Sequence, residues 1–156
     1  MTKIFMALLL SIIGPLGHAV DKASNAEVAK QWYEAFNKKD ASIIDKIIGS
    51  EWTDIPSPPG TPPGPEGLKK VFVQLTTAFP DLHLTIEDVL QDGDKVVVRS
   101  TITGRQQEAF FGMPAKGRHL SIQAVDIHEI KNGKIVRTWH TEDWMTGLRQ
   151  LGVSAP

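Results

Sequence analysis

The chain of 156 residues contains no cysteine, so no disulfide can support its fold and its hydrophobic core must do so alone. A surplus of charge of either sign is also missing, because 17 Lys and Arg stand against 18 Asp and Glu. The charges are scattered, with neither a basic stripe nor an acidic tail. This pattern argues against nucleic acid or an anionic membrane surface as a partner.

Several motifs that would announce a particular chemistry are absent from the sequence. There is no H-x-x-x-H or clustered carboxylate–histidine spacing for a metal, no glycine-rich phosphate loop and no serine nucleophile elbow. We therefore predict that the protein uses neither a metal nor a cofactor. There is also no internal repeat that would indicate a second domain.

The N-terminal segment is typical of a secretory signal peptide. Lys3 precedes an apolar run from Ile4 to Ile13, which is too short to span a bilayer, and Gly17 and Ala19 offer small residues before a cleavage point. We expect cleavage after Ala19, export to the periplasm or the medium, no membrane attachment afterwards, and a single domain over residues 20–156.

Hydrophobic periodicity predicts three helices in the first half of the mature chain. Ser24 or Asn25 begins the first helix, Asp40 begins the second, which Gly49 ends, and Pro65 begins the third. Their inward positions are Ala29, Trp32, Tyr33 and Phe36; Ile43, Ile44, Ile47 and Ile48; and Leu68, Val71, Phe72, Leu75 and Phe79.

The rest of the chain alternates with a period of two, which indicates strands. The proline-rich segment 56–65 is predicted to be a rigid surface loop, and residues 144–151 a last short helix. Helices followed by a run of antiparallel strands make an α+β domain, in which three helices laid on a curved sheet form a cone-shaped barrel with a central pocket. The predicted strands are residues 51–55, 82–91, 95–103, 118–130 and 135–142.

Asp126 and His140 stand at the two ends of one predicted hairpin, and together they can form a general acid/base pair. Whether they share a face depends on the turn. A two-residue type I′ turn at Asn132-Gly133 places them on opposite faces, whereas a three-residue loop with a bulge at Gly133 places them on the same face. Both alternatives remain open on sequence alone.

Five blocks of the chain together resemble the SnoaL-like polyketide cyclases, also called ester cyclases, of the nuclear-transport-factor-2-like superfamily. The resemblance covers roughly residues 26–152. It implies a cone-shaped α+β barrel and a ring closure by intramolecular aldol chemistry without metal or cofactor. The blocks are GTPPGPEGLKKVF, AFPDLHLTIEDVLQDGDKVVVRSTITG, FFGMPAKGR, DIHEIKNGKIVRTWHTEDW and LRQLG.

The resemblance also implies functional residues, with two departures from the family pattern. His140 stands where the last strand of the family carries its catalytic Asp, and Asp126 falls on the position of the partner His, so the two residue types have exchanged strands. Gln106 stands where family members usually have a His. The flanking Trp139 and Asp143 match the family pattern.

Three further residues are candidates for substrate binding. Arg99 lies in the middle of a strand and either faces solvent or orients an anionic oxygen in the pocket. Asp54 matches a family position near the pocket mouth, although a turn or cap role is an equal alternative. Trp52 either lines the pocket or belongs to the core.

We accordingly predict a cyclase-type enzyme, or a related lyase or isomerase, acting on a small apolar carbonyl compound in a central pocket. His140 would be the general base, Asp126 would orient it, and Arg99 or Gln106 would stabilise an oxyanion. The alternatives are an exported ligand-binding domain without catalysis and a hydrolase of the epoxide-hydrolase type. Because members of this superfamily commonly pair through the sheet face, a homodimer is also expected.

Overall fold

The computed structural model describes residues 24–153. The predicted signal peptide, residues 1–19, lies outside this range and stays a prediction. No helix within the described range is long and apolar enough to cross a membrane.

Four helices form where the hydrophobic pattern predicts them: α1 (Asn25–Lys38), α2 (Ser42–Ile47), α3 (Pro65–Ala78) and α4 (Trp144–Leu151). The Ser24 hydroxyl accepts a hydrogen bond from the backbone N–H of Glu27, which caps α1, and Pro65 is the first residue of α3. The predicted end of α2 was wrong. Ile48 does not continue the helix but pairs with Ile135 of the sheet and so begins the first strand.

Five strands form one sheet, which confirms the predicted α+β fold with a curved, mostly antiparallel sheet. The strand order is β1-β5-β4-β3-β2, and β1 is parallel to β5 while the other neighbours are antiparallel. The strands are β1 (Ile48–Ile55), β2 (His83–Asp92), β3 (Lys95–Arg105), β4 (His119–Lys131) and β5 (Lys134–Glu142).

The helices α1, α2 and α3 lie on one side of the sheet and give it an inner and an outer face. Along β4 every second residue from Leu120 to Ile130 is buried, and the residues between them are mostly exposed. The core fills the space between this inner face and the helices. Its largest fully buried apolar side chains are Tyr33, Ile44, Ile47, Trp52, Leu68, Phe79, Leu120 and Ile135.

The register of the β4–β5 hairpin differs from both predicted alternatives. The turn has two residues, Asn132 and Gly133, each with positive φ, and Lys131 pairs with Lys134. That turn alone would have put Asp126 and His140 on opposite faces. A β-bulge then inserts one extra residue, Val136, between Ile135 and Arg137.

The bulge restores the shared face. Beyond it, Glu129 pairs with Arg137, and Asp126 stands directly opposite His140. Directly opposed residues on neighbouring antiparallel strands project to the same side of the sheet. The predicted consequence of the two-residue turn was therefore wrong, because a second irregularity in β5 cancels it.

Candidate active site

Five polar side chains meet on the inner face of the sheet. They come from four neighbouring strands and line one small inner chamber of about 40 Å³: Asp54 from β1, Ser100 from β3, Asp126 from β4, and His140 and Glu142 from β5. The remaining walls of the inner chamber are apolar and are formed by Trp32, Phe36, Leu68, Val71, Leu75, Leu84 and Ile102.

A larger outer chamber of about 320 Å³ leads outward from this point. The two chambers share His140, Glu142, Val71 and Leu75 as lining residues, so the imidazole lies at their junction. The other walls of the outer chamber are the start of the proline-rich loop, one face of α3 and an aromatic group: Pro56, Ser57, Pro58, Gln74, Phe110, Phe111 and Trp144.

His140 contacts Asp54 rather than Asp126. The His140 Nδ1 atom lies 3.3 Å from Asp54 Oδ1, and the two side chains are 22% and 6% exposed. The approach has the distance of an ion pair but not the angles of a hydrogen bond, so Asp54 Oδ1 has no hydrogen-bond partner among residues 24–153. Asp54 thus occupies the place beside the imidazole that the sequence assigned to Asp126.

Asp126 is held from the opposite wall by the only tyrosine of the sequence. The Tyr33 hydroxyl of α1 donates a hydrogen bond of 2.6 Å to Asp126 Oδ2. Both side chains are buried, and burial, together with the adjacent Asp126 carboxylate, raises the pKa of the Tyr33 hydroxyl. Tyr33 therefore remains a hydrogen-bond donor at physiological pH.

Two carboxyl groups of the inner chamber, those of Asp54 and Asp126, have a raised pKa. Burial raises the pKa of Asp126 to about 6; Glu142 and Asp54 also raise it, and the Tyr33 hydrogen bond and His140 oppose the shift. Burial likewise raises the pKa of Asp54 to about 6, against the lowering effect of His140. Acid–base groups that titrate this close to neutrality are well matched to proton transfer.

A second histidine lies deeper in the barrel. His128 is fully buried against Trp32, and burial lowers its pKa to about 3, so its imidazole is neutral. The Trp52 Nε1 atom donates to Thr138 Oγ1 at 3.0 Å, and Thr138 Oγ1 lies 3.1 Å from His128 Nδ1. Because Thr138 Oγ1 accepts the hydrogen bond from Trp52, the Thr138 hydroxyl can donate its own hydrogen to His128 Nδ1. These two contacts fix the orientation of the His128 ring.

Of the two positions predicted for Arg99, the structure shows the solvent-facing one, and the substrate-binding role was wrong. Arg99 projects from the outer face of β3, where its guanidinium pairs with Asp88 at 2.7 Å and contacts Gln123, and its side chain is 45% exposed. Because Arg99 belongs to the inward-outward alternation of a regular strand, its neighbours Val98 and Ser100 point inward instead. The arginine that an epoxide-hydrolase-type set would need is therefore not supplied by Arg99.

Gln106 and Trp52 are buried beside the site but line neither chamber. The Gln106 side chain donates to the backbone carbonyls of Glu108 and Met113, so it anchors the loop between β3 and β4. Trp52 packs on Trp32 and donates to Thr138. Both residues support the pocket walls instead of contacting its contents, which differs from their predicted role in substrate binding.

Sequence reasoning missed three polar residues of the site: Glu142 and Ser100, which line the inner chamber, and Tyr33, which holds Asp126. Tyr33 lay on the apolar stripe of α1 and was assigned to the core. Glu142 has the same strand parity as His140, and this signal was available. Ser100 is a lone polar residue among inward-facing apolar positions of β3. Within the described residues 24–153, no group of three or more His, Asp or Glu side chains is arranged to hold a metal ion.

Comparisons with known proteins agree with this architecture. TsrD from Streptomyces laurentii superposes with a TM-score of 0.78 at 32% identity, over 85% of this chain and 98% of that one. IdmH from Streptomyces antibioticus superposes with a TM-score of 0.72 at 29% identity, over 83% and 99% of the two chains. The aklanonic acid methyl ester cyclase DnrD from Streptomyces peucetius is 26% identical over 137 residues, which are 86% of this chain and 94% of that protein.

The family model of the SnoaL-like polyketide cyclases matches residues 26–151 of the sequence. This match spans all four helices and all five strands of the structure. It also includes every side chain of the two chambers. The chain belongs to the SnoaL-like polyketide cyclase family.

Proposed function

We propose that the protein is a cyclase that closes a ring in a small, mostly apolar carbonyl compound by intramolecular aldol addition, without a cofactor. The observation that carries this proposal is the position of His140, which lies at the junction of the polar inner chamber and the largely apolar outer chamber and next to the Asp54 carboxylate. An imidazole with a carboxylate behind it and a ligand space in front of it is arranged for general base catalysis.

In the proposed reaction, His140 removes a proton from the carbon next to a carbonyl group. The resulting enolate carbon attacks a second carbonyl carbon of the same molecule, so one C–C bond forms and the attacked oxygen becomes an alkoxide. The alkoxide then takes a proton, either from the imidazolium or from a protonated carboxyl group of the chamber. No atom is lost and no electron is exchanged with another molecule.

Asp54 and Asp126 have distinct parts in this scheme. Asp54 stabilises the imidazolium that forms when His140 takes the proton, because the two groups are 3.3 Å apart and largely screened from water. Asp126 faces His140 across the β4–β5 pair and is fixed by Tyr33. With a pKa of about 6, Asp126 is able to exchange a proton near neutral pH.

The pocket supports a small and largely apolar ligand. A volume of about 320 Å³ lies at the lower end of the range for small-molecule sites, and aromatic, proline and aliphatic side chains form most of its wall. Phe110, Phe111 and Trp144 contact one another at the opening and offer flat surfaces to a ring system.

The test uses aklanonic acid methyl ester, the substrate named for the relative from Streptomyces peucetius, with product formation followed by chromatography and mass spectrometry. We expect cyclisation by the wild-type protein, and a decrease of roughly 10²-fold to 10⁴-fold in the rate for His140→Gln. The matched control is His119→Gln, a change of the same type at an exposed position of β4, and it should leave the rate unchanged.

Binding of the ester is measured in parallel from the change in tryptophan fluorescence. If the ester binds but the wild-type and His140→Gln proteins give equally little product, the pocket is a binding site and the proposed catalysis is wrong. Retention of cyclisation in His140→Gln would show that another group is the base.

Two further proposals concern the setting of the enzyme. We propose that it is exported, on the basis of residues 1–19, and N-terminal sequencing of the secreted protein should then begin at Val20. We also propose a homodimer through the outer sheet face, where Val125 is 38% exposed and Trp139 is half-buried. Sedimentation equilibrium should give twice the chain mass, and Val125→Lys should shift it towards the monomer.

A further inference from the structure

Ser100 is a buried hydroxyl without a visible purpose in the fold. Ser100 is 1% exposed, and its Oγ atom has no hydrogen-bond partner in residues 24–153. The inward neighbours of Ser100 on β3, Val98 and Ile102, are apolar and belong to the core. An unpaired buried hydroxyl destabilises a fold relative to a satisfied one.

Ser100 is also one of the residues that line the inner chamber. It shares that chamber with Asp54, Asp126, His140 and Glu142, and Asp54 Oδ1 is also without a hydrogen bond in the described part of the chain. Within residues 24–153, the Ser100 hydroxyl and Asp54 Oδ1 make no hydrogen bond, but Asp54 Oδ1 lies 3.3 Å from His140 Nδ1. The Ser100 hydroxyl is therefore the polar group of the inner chamber that is left for an atom entering from the outer chamber.

The size of the inner chamber limits what can enter. A volume of about 40 Å³ exceeds the minimum of roughly 10–15 Å³ for one water molecule but is far too small for a ring. One oxygen atom and the carbon that carries it fit these dimensions. Carboxyl groups surround this space and the lining carries no lysine or arginine, so the inner chamber favours a neutral oxygen over an anionic one.

We propose that Ser100 is a positioning residue whose hydroxyl donates a hydrogen bond to the leading oxygen of the ligand, so that the protein selects neutral molecules with one unhindered carbonyl or hydroxyl group at an otherwise apolar end. This inference rests on the proposed function, because it assigns a binding role to a wall of the same site. It adds the orientation of the substrate: the oxygen lies in the inner chamber and the rings lie in the outer chamber, with His140 between them.

The test measures binding and does not require turnover. The probes are 1-tetralone and tetralin, two bicyclic molecules of similar size that differ in one carbonyl oxygen, and their dissociation constants are measured by ligand-observed NMR. The wild-type protein should bind 1-tetralone more tightly than tetralin. The dissociation constant of tetralin divided by that of 1-tetralone measures the preference for the carbonyl group. In Ser100→Ala this ratio should fall roughly fivefold to tenfold, which is the contribution of one hydrogen bond.

The control is Ser121→Ala on β4. Ser121 is exposed, and its contacts with Gln150 run through its backbone, so this variant should keep the wild-type ratio. Ser100→Ala should also keep the wild-type melting temperature or exceed it, because the lost hydroxyl has no hydrogen-bond partner within residues 24–153. A lower melting temperature would assign Ser100 a structural role and overturn the inference.

The outcomes separate this inference from the proposed function. An unchanged ratio in Ser100→Ala, or equal affinity of the wild-type protein for both probes, overturns the role of Ser100 even if the protein cyclises the ester. A reduced ratio in a protein that does not cyclise the ester supports the role of Ser100 and rejects the catalysis. With turnover, the expected signature of Ser100→Ala is a raised KM with a smaller change in kcat.

Discussion

The two faces of the sheet treat polar side chains in opposite ways. On the outer face, Arg99 pairs with Asp88 and also contacts Gln123, which itself donates to Thr101. On the inner face, Ser100 Oγ keeps an unused hydrogen-bonding atom within the part of the chain that the structure describes. The outer face satisfies its own polar groups, whereas the inner face leaves such groups available for a ligand.

Asp126 and Glu129, which are three residues apart on β4, show the same contrast in the pKa of their carboxyl groups. Glu129 pairs with Lys131 and Arg137, and the hydrogen bond from Lys131 lowers the pKa of Glu129. Asp126 faces the inner chamber, and burial raises its pKa to about 6. The same chemical group is thus stabilised as an anion on one face and destabilised on the other, which shows that the inner face gives up stability to keep a titratable group in place.

The largest effect should come from Asp126→Asn. The carboxyl of Asp126 has an ordinary pKa of 3.8 and a folded pKa of about 6, so the folded protein binds more protons than the unfolded chain between these values. The contribution of Asp126 to the stability of the wild-type protein must therefore decrease as the pH rises from about 4 to 6 and stay constant above that. The amide group that the substitution introduces carries no charge, and its oxygen can still accept from Tyr33.

We expect the free energy of unfolding of Asp126→Asn at pH 8 to exceed that of the wild-type protein by up to about 3 kcal/mol. The gain should disappear near pH 4, and the cyclisation rate should decrease. Urea denaturation at both pH values measures the difference. Asp92→Asn, at an exposed position on β2, is the matched control and should show no gain. A gain that persists at pH 4 would contradict the explanation by charge burial.

An intermediate effect is expected from Tyr33→Phe. This change removes the only hydrogen bond that the structure gives Asp126 from a side chain within residues 24–153, and it leaves the ring volume nearly unchanged. The free energy of unfolding at pH 8 should decrease by roughly 1–3 kcal/mol. Because the Tyr33 hydrogen bond lowers the pKa of Asp126, the acidic limb of the pH–rate profile should move to higher pH. An unshifted limb would mean that Asp126 does not titrate in the reaction.

The smallest effect should come from Arg99→Gln. The ion pair with Asp88 is exposed on both sides, and such pairs contribute about 0–1 kcal/mol. The cyclisation rate and the affinity for 1-tetralone should not change. A large decrease in either quantity would show that the outer face communicates with the pocket and would break the contrast between the two faces.

Much of the fold could be predicted because local signals agree with one another. The apolar stripes of α1 and α3 and the limits of α4 follow from hydrophobic periodicity and from helix signals. His140 and Asp126 could be named because they share a hairpin and the family resemblance marks the His140 position. These are short-range features that need no knowledge of three-dimensional packing.

The remaining features of the site depend on long-range pairing. Asp54 contacts His140 because β1 pairs with β5 in parallel. No local sequence signal near Asp54 predicts this pairing. Arg99 points outward because of the inward-outward alternation of β3. In the sequence, three valines precede Arg99, so the pattern of apolar and polar residues does not show which positions of this strand face inward. Tyr33 contacts Asp126 across 93 residues of sequence, and no local pattern distinguishes this hydroxyl from a core ring.

The bulge at Val136 has a consequence for how residues are matched between relatives. The hairpin contains one residue more in β5 than its turn requires, and β5 returns to phase only after Val136. A relative with a turn one residue longer and no bulge would pair the same two inward residues. Its histidine would then lie one residue closer to the end of the turn than His140 does here. Equivalent positions in this hairpin should therefore be counted from the inward-facing residues of β4, since counting from the turn assigns the wrong side chain to the pocket.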